Sequence, residues 1–188
     1  SIGKSVIKLP DLASYCFNKS IPAVALTDYN NLFGSLEFSL ECQSKGVQPI
    51  IGSVVTIDFG NQENKRFGNI LLLVKNHVGY QNLMHLVSSC YTNNAHYPYI
   101  SLDSLFERYD GLIVLCGSND SPIEKLFHLE KKEEACQFID ALLKRFQENL
   151  YLEISRCSNQ LDYSFDKFLQ NIAVKKNIAM VATNSTHY

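Results

Sequence analysis

"PAVALTDYNNLFGSLEFSLECQSKGVQPIIGSVVTI" occupies residues 22–57, and its reading decides the fold. It opens on an apolar run of strand length, turns through a polar, asparagine-rich step into a stretch of helical character over 34–45, and closes on a second apolar run. Strand, helix and strand in that order make the crossover unit of a mostly parallel sheet. Runs with so little polar interruption are expected where both faces of a sheet are covered. Thr27 and Asp28 then stand at the carboxyl end of a strand, where such architectures place their chemistry.

The same alternation runs along the chain. Strands are expected at 22–27, 49–58, 69–75, 112–117, 150–155 and 178–184, and helices near 9–19, 34–45, 78–91, 101–108, 121–128, 130–147 and 159–176. In "KKEEACQFIDALLKRF", Ala135, Phe138, Ile139, Leu142 and Phe146 recur at three- and four-residue steps and so share one helical face. The segment "FGNQENKRFG" at 59–68 is polar, glycine-bounded and set between two strands, which predicts a hairpin loop. "YTNNAHYPY" at 91–99 is expected to be a second exposed connection. No internal repeat, low-complexity tract or linker divides the chain, so residues 1–188 are expected to form one domain. Six strands with interleaved helices fit either an open doubly wound sheet or a closed barrel, and periodicity does not choose between them. Either way the strand ends to search are Thr27, Asp28, Asp58, Lys75, Cys116, Gly117, Glu153, Thr183 and Asn184.

Bulk properties narrow the function. A chain of 188 residues, 46% hydrophobic, can bury roughly 70% of the surface its unfolded form exposes. Its 17 basic and 19 acidic residues leave a net charge of -2 with no long run of either sign, which excludes a broad phosphate-binding footprint. The six cysteines lie at least 20 residues apart with no CxxC pair, a pattern of reduced thiols in a cytoplasmic protein. No apolar stretch reaches the ~20 residues of a membrane span, and no signal-peptide core opens the chain. Beginning at Ser1 fits a processed protein or a fragment.

The polar strand ends supply little chemistry by themselves. A divalent metal needs several His, Asp or Glu side chains converging from different strands. Of the histidines 77, 85, 96, 128 and 187, only His187 follows a strand end. One histidine with Asp28 and Glu153 is thin material for a catalytic ion. Each also has a plain structural reading: Asp28 in a turn with the backbone of "YNN", Glu153 as a buried carboxylate paired with a base, and His187 at the surface. No G-x-S-x-G nucleophile motif occurs. "GSNDS" after "LIVLC" lacks the glycines and lysine of a phosphate loop and reads as a cap for the helix that follows. The 10 tyrosines and 11 phenylalanines lack the basic interleaving of single-strand binders and are assigned to packing.

Taken together and in order, the stretch quoted above, "LLLVKNHVGYQNLMHLVSSCY", "YLEIS" and "VATNSTHY" resemble the PHP (polymerase and histidinol phosphatase) domain of bacterial replicative DNA polymerase III alpha subunits, over essentially all 188 residues. "TDYNNLFG", "KGVQPIIG", "GYQNL" and "VATNSTHY" are the most specific pieces, and "GYQNL" points to the polymerase branch of the family. The resemblance implies an α/β fold, a distorted (β/α)7 barrel related to the TIM barrel. It further implies an amino-terminal fragment of a much longer subunit that has lost the first strand and its histidine-rich metal motif.

Active relatives hold three metal ions in the barrel mouth, and the resemblance places the corresponding positions here. Lys4 stands where an acid is expected, Tyr29 and Asn69 where histidines are expected, and Val54 where a carboxylate is expected. Cys157 replaces a further histidine and Ser185 an aspartate. Asp28, Glu153 and His187 alone keep a ligating type, as vestiges of the site. Loss of even an outer-sphere partner typically weakens metal affinity or activity ~10 to 100-fold, so changes at about six inner positions imply no metal, cofactor or catalytic residue in this domain. Buried carboxylates left without an ion need a cation; Lys4 is a candidate to pair with Glu153 or Asp28, the alternative being that it points into water.

The resemblance thus implies a structural domain of a DNA-directed DNA polymerase in the bacterial cytoplasm. Such a domain packs against the other domains of its chain and docks a separate proofreading exonuclease subunit. DNA and the catalytic magnesium belong to the full subunit, and no membrane is involved. Two other readings stay open: an active metal-dependent PHP phosphoesterase or built-in proofreading exonuclease, and a stand-alone small-molecule hydrolase barrel.

Overall fold

The computed structural model describes residues 7–61, 63–93, 97–155 and 163–183. In chain order the elements are α1 (Leu9–Asn18), β1 (Ala23–Tyr29), α2 (Ser35–Ser44), β2 (Gln48–Asp58), β3 (Phe67–Val74), α3 (His77–Asn93), β4 (Ile100–Ser101), α4 (Leu102–Glu107), β5 (Leu112–Cys116), α5 (Pro122–His128), α6 (Lys132–Phe146), β6 (Leu150–Ser155), α7 (Tyr163–Lys176) and β7 (Ala179–Thr183). The strands form one sheet in the order β1-β2-β3-β5-β6-β7, with β4 attached to β2. Every ladder is parallel except the two made by β3, which runs against β2 and β5. The result is a mixed α/β, half-barrel sheet, and among the described residues no ladder joins β1 to β7.

Two hydrophobic cores hold the helices to the sheet. The larger joins β2, β3, β5 and β6 to α3 through α7, with Leu72, Leu83, Val114, Ile139, Leu142 and Leu152 fully buried. The predicted face of α6 is its buried face, Ala135, Phe138, Ile139, Leu142 and Phe146. The smaller core lies under α1 and α2, where Ala13, Cys16, Phe38, Cys42 and Val47 close against Val24, Leu26 and Ile51. Among the described residues no helix is long and apolar enough to cross a membrane.

The "GYQNL" segment has a steric logic. Asn76 Oδ1 accepts from the Gly79 amide (3.0 Å) and caps the start of α3, while Asn82 Nδ2 donates to the Asp110 carbonyl (2.9 Å). Gly79 meets the backbone of Gly111, which turns at φ +71°. The motif therefore clamps the α4–β5 turn onto α3.

Several expectations need correction. Among the described residues the sheet has seven strands and not six, because Ile100 and Ser101 add a two-residue strand to β2. The connection at 91–99 is shorter than expected, since α3 continues to Asn93. β1 and β7 are not buried on both faces; most of their residues are half-buried or exposed, and among the described residues each ends the sheet path and pairs on one side. Lys75 is not at the mouth. The 59–68 hairpin reverses β3, so its carboxyl end lies on the opposite side, where Lys75 Nζ donates to Asn149 Oδ1 (2.9 Å). The same reversal brings Asn69, near the start of β3, to the mouth.

Candidate functional site

The mouth is lined by the ends of β1, β2, β5, β6 and β7 and by the start of β3. Thr27, Asp28 and Tyr29 of β1 lie in register with Gly52, Ser53 and Val54 of β2. Asp28 is buried, and its carbonyl accepts from the Ser53 hydroxyl (2.8 Å). The turn after it is shaped by Asn31, whose side chain donates to the Tyr29 carbonyl (2.8 Å) and accepts from the Phe33 amide (3.2 Å). Asp58 also serves a loop: its Oδ1 accepts from the Gly60 and Arg66 amides, both at 3.0 Å, and closes the base of the β2–β3 hairpin.

A chain of polar side chains crosses the mouth. Asn30 sits in the left-handed region at φ 50°, which asparagine tolerates better than most residues. Its Oδ1 accepts from the Thr56 amide (2.9 Å), and its Nδ2 donates to Thr56 Oγ1 (3.2 Å) and the Pro98 carbonyl (3.4 Å). Thr56 Oγ1 donates to Asn69 Oδ1 (3.0 Å), and Asn69 Nδ2 donates to Asp120 Oδ2 (3.0 Å). Asp120 Oδ1 in turn pairs with Lys125 Nζ at 2.6 Å. Segments from the β1–α2 turn to α5 are thus tied by hydrogen bonds that engage both the oxygen and the nitrogen of the Asn69 side-chain amide.

Glu153 occupies the other side. The residue is 6% exposed, and its Oε1 accepts from Thr183 Oγ1 (2.5 Å). Oε2 is buried with no hydrogen-bond partner, so the base expected beside Glu153 is not found among the described residues. Gly117, at φ +127°, lets the end of β5 pass Glu153: a Cβ there would lie 2.7 Å from the Glu153 carbonyl oxygen. Burial and the Asp120 and Glu153 carboxylates push the Tyr29 phenol above its usual range, so it stays neutral. Burial likewise raises the Cys116 thiol, and Glu153 adds to it.

Among the described residues, the side chains at the mouth do not make up the donor set of a trinuclear metal centre. Val54 offers hydrocarbon, Tyr29 an un-ionised phenol and Asn69 an engaged amide. Among the described residues, no three His, Cys, Asp or Glu side chains are grouped to hold an ion. Asp28 and Glu153 are both at the mouth; Lys4, Cys157, Ser185 and His187 lie outside the described residues, and with them the candidate Lys4 pairing. Asn30, Thr56 and Asp120 were not foreseen as site residues. A threonine interrupting the apolar run "SVVTID" was the one available signal for Thr56, while "GSNDS" was expected only as a cap. It does cap α5, through Ser121 Oγ and the Glu124 amide (3.2 Å).

Two measurable consequences follow from the geometry. Asn30→Ala leaves the buried Thr56 amide unpartnered and puts a Cβ-bearing residue without a compensating side chain at positive φ. The expected cost is about 2 kcal/mol, a fall of roughly 4–8 °C in Tm by calorimetry, and Asn30→Gly should recover the backbone share only. Burial also pushes the Cys90 thiol up to about 11. At pH 8 about one such thiol in a thousand is a thiolate, so iodoacetamide should modify the half-buried Cys136 well before Cys90 or Cys116, as read by peptide mass mapping.

Residues 1–157 match the PHP domain family. The alpha subunit of DNA polymerase III from Rickettsia bellii is 37% identical over 179 residues, covering 94% of this chain and 15% of that protein. The corresponding subunits of Caulobacter vibrioides and Vibrio cholerae are 30% and 32% identical, over 100% and 94% of this chain. The chain therefore spans only about one-sixth of the length of these relatives. In fold it is similar to a putative metal-dependent phosphoesterase from Bifidobacterium adolescentis, with a TM-score of 0.59 at 11% identity, covering 95% of this chain and 82% of that one. With a family match over most of its length and a sheet of the corresponding architecture, the chain belongs to the PHP domain family and is homologous to DNA polymerase III alpha subunits.

Proposed function

We propose that this chain is the single PHP domain of a bacterial replicative DNA polymerase III alpha subunit, and that it serves there as a metal-free structural domain. The reading is carried by Asn69. Where a metal-binding relative is expected to present a histidine, this chain has an amide already committed to Thr56 and Asp120. A hydrogen-bonded chain of amide and hydroxyl side chains, ending on the Asp120–Lys125 ion pair, takes the place of a bound ion as the tie across the mouth. In the full subunit the domain packs against the other domains of the same polypeptide and docks the separate proofreading exonuclease, in the cytoplasm. Nucleotide addition, its magnesium and contact with DNA belong to the rest of the subunit.

The test uses the full-length subunit. It should incorporate deoxynucleotides, co-elute with the proofreading exonuclease on gel filtration, and carry far less than one equivalent of zinc, manganese or iron per chain after dialysis. The buried Oε2 of Glu153, without a hydrogen-bond partner among the described residues, favours a second reading, an active metal-dependent phosphoesterase, because a cation would satisfy it. That reading requires retained metal and chelator-sensitive phosphate release. Stoichiometric metal would displace the structural reading.

A further inference from the structure

Helix α2 is apolar on two opposite faces. Phe38 and Cys42 belong to the smaller core, and Ser35 is buried on the same side of the helix. At about 100° per residue, Leu36 and Leu40 fall roughly opposite Phe38, and they are 73% and 59% exposed. Phe33, in the turn leading into the helix, is 76% exposed. A helix hydrophobic on both faces is built to be covered on both. The outward stripe starts beside the mouth, since a Cβ on Gly34 would lie 3.9 Å from Asp28 Oδ2. Its flank is acidic: α2 carries Glu37 and Glu41 and no lysine or arginine.

We infer that the Phe33–Leu36–Leu40 stripe is the face on which this domain seats the polymerase portion of its own polypeptide, through an apolar patch rimmed by basic side chains. The inference rests on the proposal that the chain is part of a polymerase subunit. Magnitude selects this occupant over a dissociable one. Three such side chains offer on the order of 500 Å², whereas a freely associating partner typically needs about 800 Å² per side. A tethered neighbour is present at an effective concentration of about a millimolar and is held by less. In the relatives this region is 15–17% of the chain, so more than four-fifths of such a polypeptide is available to cover it. The acidic flank sets the charge of the partner's rim.

The test uses the full-length subunit with Leu36→Cys, and Val174→Cys as an exposed reference at 84% accessibility. Alkylation at position 36 should be at least about ten-fold slower than at 174. With the photoreactive residue benzoylphenylalanine in place of Leu36, and isotopically heavy and light chains mixed, the cross-link should join position 36 to the polymerase portion of the same chain. A heavy–light cross-link would assign the stripe to a second copy, and a cross-link to added proofreading exonuclease would assign it to that subunit. Either outcome, or rapid alkylation with no cross-link, overturns the inference. Failure of the underlying proposal is separate: the native polypeptide would not incorporate deoxynucleotides at all.

Discussion

Gly79→Ala should melt far below the parent chain. A Cβ at Gly79 would stand 1.8 Å from the Gly111 carbonyl oxygen and 2.4 Å from its carbon, well inside contact distance. The obstruction is backbone, so no rotamer change relieves it; α3 must tilt or the α4–β5 turn must move. That turn cannot shift freely, because the Gly111 carbonyl accepts from the Lys75 amide (2.9 Å) and Asn82 holds Asp110. Overpacking of this kind costs about 3 kcal/mol or more, a loss of roughly 6–12 °C in Tm. Calorimetry on Gly79→Ala would show it. A change under 1 °C would mean that the two backbones do not meet.

Phe38→Ala should be at least as damaging, through the opposite mechanism. Phe38 is fully buried and is the largest member of the core under α1 and α2, with Ala13, Cys16, Cys42 and Val47 around it. Truncation leaves a cavity between two short helices and β1, and large-to-small changes of this type cost about 3–5 kcal/mol. Because this core is separate from the larger one, α1 and α2 should loosen first. Hydrogen exchange in their amides should accelerate in Phe38→Ala before the β3–β5–β6 region responds. Leu40→Ala, on the outer face of the same helix, provides the contrast: in the domain alone it should fall within about 0.5 kcal/mol of the parent. Uniform loss of exchange protection across the sheet would show the two cores to be one cooperative unit.

The parts of the fold legible in the sequence were those written as a repeating pattern. The face of α6 and the span of β6 could be read because burial imposes a period on apolar residues. The strand β4 could not, since two residues carry no period. Direction was harder: an apolar run looks the same in a parallel and an antiparallel strand. Yet the glycine-bounded 59–68 loop already implied that β3 is reversed, and hence that Asn69 and not Lys75 faces the mouth. For the site, Asp28 and Glu153 were visible as acids at strand ends. The network was not, because Asn30, Thr56, Asn69 and Asp120 are distant in sequence and each has an ordinary local explanation. Only the sheet register, which sets Thr56 opposite Asn69, brings them together.

The hairpin between β2 and β3 has a practical corollary. Because one aspartate side chain fastens both of its legs by their amides, the tip can be lengthened or exchanged while strand registration below it is kept. Nature and the protein engineer alike can then reshape the rim of this half-barrel, by grafting a reporter or a recognition loop there, without renegotiating the packing beneath.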